Sequence, residues 1–263
     1  TFMTFLTLGV SYLIVMLIAS FCYRVPAEGW LPEGWSPPSG ENAKGMISQN
    51  DVGISRATST PQFILLWIVL CMNVTAGIGV IGVAKTMIGE IFGPSLSAEA
   101  RQGFFFVNYV AMISVFNMVG RFFWASISDW IGRKPTYTIF FVLGCALYLS
   151  IPWAAANAGA STMSASFIGF YAATMIIFTM YGGGFATIPA YLADLFGSKY
   201  VGAIHGRLLT AWSTAGVLGP LAIAKLRDSS ISNSISDLVQ KIEPAAFLEK
   251  FGAPIGKLDE LVK

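Results

Sequence analysis

The side chains of this chain best suited to chemistry are charges set in apolar surroundings. Gly120 to Lys134 reads GRFFWASISDWIGRK and puts Asp129, Arg133 and Lys134 on a short polar link between two apolar segments. Charge beside hydrocarbon is costly, so a tight Asp-x-x-Gly-Arg-Lys turn implies charges with a specific task. Asp129 can cap the following helix, pair with Arg133, or pair with a basic residue of a neighbouring segment. Gly120 and Gly132 permit close packing and a sharp turn. Arg121 stands eight residues before Asp129, about two helical turns, or roughly 12 Å, deeper in the apolar segment. A guanidinium there costs on the order of 2.5–3.5 kcal/mol, so it must face a cavity or a partner. Two readings stay open: it grips a carboxylate bidentately, or it pairs within the bundle or snorkels to the surface.

Other residues could share that cavity. Tyr181 and Phe185 are four apart and lie on one helical face, with Gly182 to Gly184 between them. Their rings suit either a water-excluding wall or ordinary packing. Asn73, Asn108 and Asn117 read as hydrogen bonds between helices, and Asn117, one turn from Arg121, could also orient it. Lys85 and Glu90 read as reaching the membrane interface, and His205 as interfacial rather than a proton relay. Gly77-Ile78-Gly79-Val80-Ile81-Gly82 has the letters of a dinucleotide loop but lies inside an apolar run with no preceding strand, so it reads as close helix packing. Cys22, Cys71 and Cys145 have no pairing or metal-ligand spacing. No clustered His, Cys or acidic ligands are expected in the spans, which argues against an enzyme and against any cofactor or metal.

The elements that must carry these residues are membrane helices. The chain is 55% hydrophobic and 11% charged, with a mean hydropathy of +0.66, which rules out a free-standing soluble domain. A net charge of +2 with scattered basic residues gives no nucleic-acid surface. Six apolar stretches are long enough to span a bilayer: Thr1–Cys22, Phe63–Ile88, Phe104–Ile127, Tyr137–Ala156, Phe167–Leu192 and Val201–Leu221. The fold class is therefore all-α, a polytopic transmembrane helix bundle. Arg133 and Lys134 in the 128–136 link, with Lys199 and Arg207 in the 193–207 link, place both links in the cytoplasm, and the uncharged 157–166 link outside. The domains read as 1–22, a last helix of an N-terminal half; 23–62, a cytoplasmic linker rich in Pro and Gly; 63–227, five helices of a C-terminal half; and 228–263, a polar extracytoplasmic tail. In that tail Ile231, Ile235, Leu238, Val239 and Ile242 fall at the spacing of a short surface helix. The first span begins at the first residue, as expected of a fragment.

Several motifs together resemble the oxalate/formate antiporter branch of the major facilitator superfamily. They are Asn117-x-x-Gly120-Arg121, Ser128-Asp129-x-x-Gly132-Arg133-Lys134, Tyr181-Gly-Gly-Gly-Phe185-x-x-x-Pro189, Asp194-x-Phe196-Gly197, Gly219-Pro220, and Arg24-x-Pro26 leading to Gly29-Trp30 and Gly34-Trp35. The resemblance implies a twelve-span transporter in two halves, of which this chain would supply spans six to eleven; the N-terminal half would be its missing partner. It implies substrate contacts at Arg121, Tyr181, Phe185, Trp212 and Asn117, and a gating latch at Gly120, Asp129, Gly132, Arg133, Lys134 and Asp194. Trp212 stands where oxalate-transporting members carry a second cation, so the resemblance favours a small monocarboxylate over oxalate. The implied function is secondary transport of small organic anions by alternating access, with exchange favoured over proton symport and over a non-transporting receptor.

Overall fold

Thr60, Ser97 and Ser164 begin helices by the same device, a hydroxyl that accepts from the backbone N–H three residues on, at Phe63, Ala100 and Phe167. Pro61 follows Thr60 in the first turn, where its missing N–H costs nothing. The computed structural model describes residues 2–24, 27, 30–31, 33–34, 48, 51–240, 248 and 252. It divides into two units, 1–45 and 46–263. The first holds α1 (Phe2–Cys22), a 21-residue apolar helix with none of its residues buried. The second holds α2 (Ile54–Thr58), α3 (Pro61–Phe92), α4 (Ala98–Gln102), α5 (Phe104–Val107), α6 (Tyr109–Ile131), α7 (Arg133–Ala156), α8 (Ala165–Phe196), α9 (Val201–Leu208) and α10 (Thr210–Gln240). Every element among the described residues is helical, and six helical segments are long and apolar enough to cross a membrane.

The bundle is organised around α8, the most buried of these segments. Between lipid-facing helices no hydrophobic force acts, so packing depends on how closely backbones approach. Glycine sets that approach. A methyl at Gly120 of α6 would overlap the carbonyl and Cα of Thr179 on α8, and one at Gly182 would overlap the Asn117 carbonyl on α6. Trp124 of α6 lies over Gly183 and donates from Nε1 to Thr179 Oγ1 at 3.1 Å. A second glycine contact joins α3 to α10, where a methyl at Gly219 would fall 2.7 Å from the Thr75 carbonyl and 3.0 Å from Gly79 N. Trp67 Nε1 ties the same pair to Thr210 Oγ1 at 2.9 Å. Gly77 and Gly79 are thus packing residues, as the missing strand before them requires.

The far end of the bundle is closed by rings. Phe92 meets Phe167 and Phe170 edge-on, each at 5.1 Å, and Tyr109 stacks on Phe170 at 5.9 Å. The links differ from the expected boundaries. The 128–136 link shrinks to one residue, Gly132, between α6 and α7. The stretch begun at Phe104 breaks at Asn108, whose Nδ2 bonds back to Phe104 O at 3.0 Å within its own turn rather than to another helix. The last span bends at Leu209 and continues as one helix to Gln240, taking in Ile231, Ile235 and Leu238, because no Gly or Pro interrupts 221–240. Ile242 lies outside the described residues. Within the expected linker, Ala57 of α2 is fully buried, and Val52 N donates to Phe196 O at 2.9 Å, satisfying a carbonyl at the end of α8.

Candidate substrate site and gate

At the end of the bundle where α6 meets α7, one guanidinium holds two carboxylates. Gly132 ends α6 with φ +93° and ψ 157°, and Gly197 ends α8 with φ +82° and ψ 169°. Both values lie in a region open in practice to glycine alone. Each glycine follows an aspartate by three residues, in Asp129-Trp-Ile-Gly132 and Asp194-Leu-Phe-Gly197. Arg133, buried at 8% exposure, lies 2.5 Å from Asp129 Oδ1 through Nη2 and 3.1 Å from Asp194 Oδ2 through Nε. It also donates from Nη1 to the buried Ser128 hydroxyl. Asp129 therefore pairs with Arg133 and makes no side-chain cap on α7. Lys134 stands apart from this cluster: it is exposed and joins Tyr137, Gln62 and Tyr191 in lining a cavity of about 310 Å³. Gly120, expected in the same loop, lies inside α6 against Thr179, well away from Gly132.

Near the middle of the helices four of the expected residues come together. The Tyr181 ring covers Gly77 of α3, where even a methyl would overlap it. Tyr181 meets Phe185 edge-on at 5.3 Å, and Phe185 meets Trp212 of α10 edge-on at 6.0 Å. Trp212 also lies near the Tyr181 side chain, and Arg121 of α6 is in electrostatic reach of the Tyr181 hydroxyl. Arg121 is exposed, and among the described residues it forms no ion pair. The arrangement is one unneutralised cation beside a three-ring wall contributed by two helices. It can hold one carboxylate, with the rings excluding water from its apolar side.

Asn117 takes a different place. Its backbone carbonyl packs on Gly182, and its side chain lines a cavity with Ser114, Ile113 and Ile81; among the described residues it makes no hydrogen bond to Arg121. Glu90 pairs with Arg227 of α10, and so serves a helix contact beyond reaching an interface.

Residues 2–220 match the profile of the Major Facilitator Superfamily. The chain belongs to that superfamily. Among its relatives, it is 26% identical over 215 residues to the oxalate:formate antiporter of Oxalobacter formigenes, covering 82% of this chain and 45% of that protein. It is 24% identical over 160 residues to the uncharacterized MFS-type transporter YhjX of Escherichia coli (strain K12), covering 61% of this chain and 36% of that one. The chain thus spans less than half the length of either relative. Family and helices together make it an integral, multi-pass membrane protein of a transporter family.

Two polar residues, Tyr137 of α7 and Thr187 of α8, were not singled out from the sequence, and Ser128 of α6 was read only as part of a motif. Tyr137 OH donates to Gly184 O at 2.8 Å and accepts from Thr187 Oγ1 at 3.1 Å, while Ser128 anchors Arg133. Tyr137 lies one turn after Arg133, and Gly184 lies between Tyr181 and Phe185, so this bond joins the helix of the Arg133 cluster to the helix of the rings. The usable signal was positional: polar residues on the one-turn spacing from Arg133 and from the triple glycine.

Proposed function

We propose that this chain is the sixth to eleventh spans of a secondary transporter that exchanges small carboxylates by alternating access. In this reading α1 is the last helix of the N-terminal half and α3 to α10 belong to the C-terminal half, with the Gly132 and Gly197 turns in the cytoplasm. The observation that carries it is Arg121, a cation without a carboxylate partner among the described residues, in electrostatic reach of Tyr181, whose ring meets Phe185 and through it Trp212. A midplane site between helices is where transporters of alternating access bind cargo. The similarity to an oxalate:formate antiporter supports the carboxylate class.

One fixed cation neutralises one anionic charge, and Trp212 presents a neutral ring in place of a second cation. A monocarboxylate such as formate then crosses as a neutral pair, whereas oxalate leaves a net negative charge in hydrocarbon, at a cost of several kcal/mol. Exchange is favoured over proton symport because each carboxylate of α3, α6 and α8 is committed to an arginine: Glu90 to Arg227, and Asp129 and Asp194 to Arg133. The Arg133 cluster is the latch, closing one side while bound and releasing it as the helices reorient. The test is counterflow of labelled formate into proteoliposomes bearing the full-length transporter and loaded with unlabelled formate, lactate or oxalate. Robust oxalate exchange without monocarboxylate uptake would overturn the preference, and uptake needing a pH gradient but no internal anion would replace exchange with symport.

A further inference from the structure

We propose that Lys85 forms a second, outer anion subsite that receives a small carboxylate before Arg121 does; the assignment rests on the carboxylate reading above. Lys85 lies on α3 about 10 Å before its end at Phe92. It is exposed, and among the described residues no carboxylate pairs with it. Glu90, the acidic residue of its own helix, is taken by Arg227. What holds Lys85 is neutral: Nζ is 3.5 Å from Phe106 O, where the break at Asn108 interrupts the helical ladder, and 5.1 Å from the Phe106 ring centroid. A cation in a membrane helix held only by a carbonyl and a ring face keeps most of its field for an anion.

A route inward starts beside it. A cavity of about 180 Å³ between α3 and α6 is lined by Ile81 and Ala84, the latter adjacent in sequence to Lys85, and by Ser114 and Asn117. Ser114, Asn117 and Arg121 follow at i, i+3 and i+7, so they share one face of α6 and continue the polar line to the ring site. Phe106 and Arg121 are fifteen residues apart, roughly 20 Å along a helix. A formate-sized anion cannot bridge that distance, so the two cations act in sequence. Positive charge at the entrance raises the local anion concentration and the rate of encounter.

The test uses the full-length transporter in proteoliposomes of known orientation, with labelled formate supplied from the outer or the inner side. Lys85→Gln is expected to raise the outer half-saturation concentration about tenfold, the scale of one charge-assisted contact, with the maximal rate kept and the inner half-saturation unchanged. Lys85→Arg is expected to restore the outer value to within about twofold, and the sensitivity of outer uptake to added salt should fall in Lys85→Gln. If Lys85→Gln does not insert, Lys85→Met keeps the apolar stem and reads the same loss of charge. An outer half-saturation unchanged in the neutral variants, or a lost maximal rate with half-saturation intact, overturns the subsite. The two readings separate cleanly: no carboxylate uptake by the unmodified transporter overturns both, whereas uptake abolished by Arg121→Ala but indifferent to Lys85→Gln overturns only this one.

Discussion

Arg133 at the start of α7 reaches across to Asp194 near the end of α8, Nε to Oδ2 at 3.1 Å, although 61 residues separate them in sequence. The same guanidinium holds Asp129, yet the two carboxylates differ in surroundings. The Asp194 side chain is 11% exposed and that of Asp129 is 59% exposed. Solvent screens the second pair and leaves the first strong.

Neutralising the partners of this cluster should therefore be asymmetric. Arg133→Gln strands Asp194 among packed helices and is expected to cost about 3–5 kcal/mol, whereas Asp129→Asn should cost under about 1 kcal/mol. Thermal unfolding in detergent reads both. Asp194→Asn should recover part of the Arg133→Gln loss, since it removes the uncompensated charge; equal losses from Asp129→Asn and Asp194→Asn would contradict this geometry.

The matched turns give a second expectation. Gly132→Ala and Gly197→Ala each place a side chain at a positive φ with extended ψ, at a cost of about 1–3 kcal/mol. Gly202→Ala, with open space around the glycine, should cost far less or stabilise. The melting temperatures of the three variants decide it.

The α6–α8 contact gives a third. Gly120→Ala and Gly182→Ala drive a methyl into backbone rather than into a side chain that could swing away. Each should destabilise by about 1–3 kcal/mol and lower transport, while Gly89→Ala on α3, which meets nothing nearby, should leave both close to normal.

Much of this architecture was legible in the chain. Long apolar runs show as spans because hydrocarbon leaves no other option for the backbone, and the Asp-x-x-Gly-Arg-Lys run marked the turn at Gly132. Its partners were harder to read. Asp194 was recognisable as a residue near a closing loop, but that it shares Arg133 with Asp129 depends on the packing of α7 on α8. Gly120 looked like part of the loop because it is near in sequence, yet 1.5 Å of rise per residue carries it deep into α6. Helix ends were least legible: the last span reads as ending at Leu221 and the polar residues from Asp228 as a tail holding a short surface helix, but nothing in 221–240 breaks a helix. The Tyr137–Gly184 bond left no sequence trace beyond spacing, because a tyrosine in an apolar run reads as packing.

Trp212 offers a gain-of-function expectation. Its ring meets Phe185, which in turn meets Tyr181, so Trp212→Lys brings a second cation to the same wall. The ratio of oxalate to formate affinity is expected to rise at least about tenfold, the scale of one charged hydrogen bond in a partly desolvated site. Competition of each anion against labelled formate measures it, and an unchanged ratio would place Trp212 outside the pocket.

Binding of the carboxylate by Arg121 is read most directly by formate counterflow in the full-length transporter with Arg121 intact, changed to Lys, and changed to Ala. Arg121→Ala should abolish uptake at normal membrane abundance. Arg121→Lys should retain charge but lose the bidentate fork, raising half-saturation about tenfold or more. Uptake by Arg121→Ala equal to that of the unmodified protein would remove Arg121 from the site.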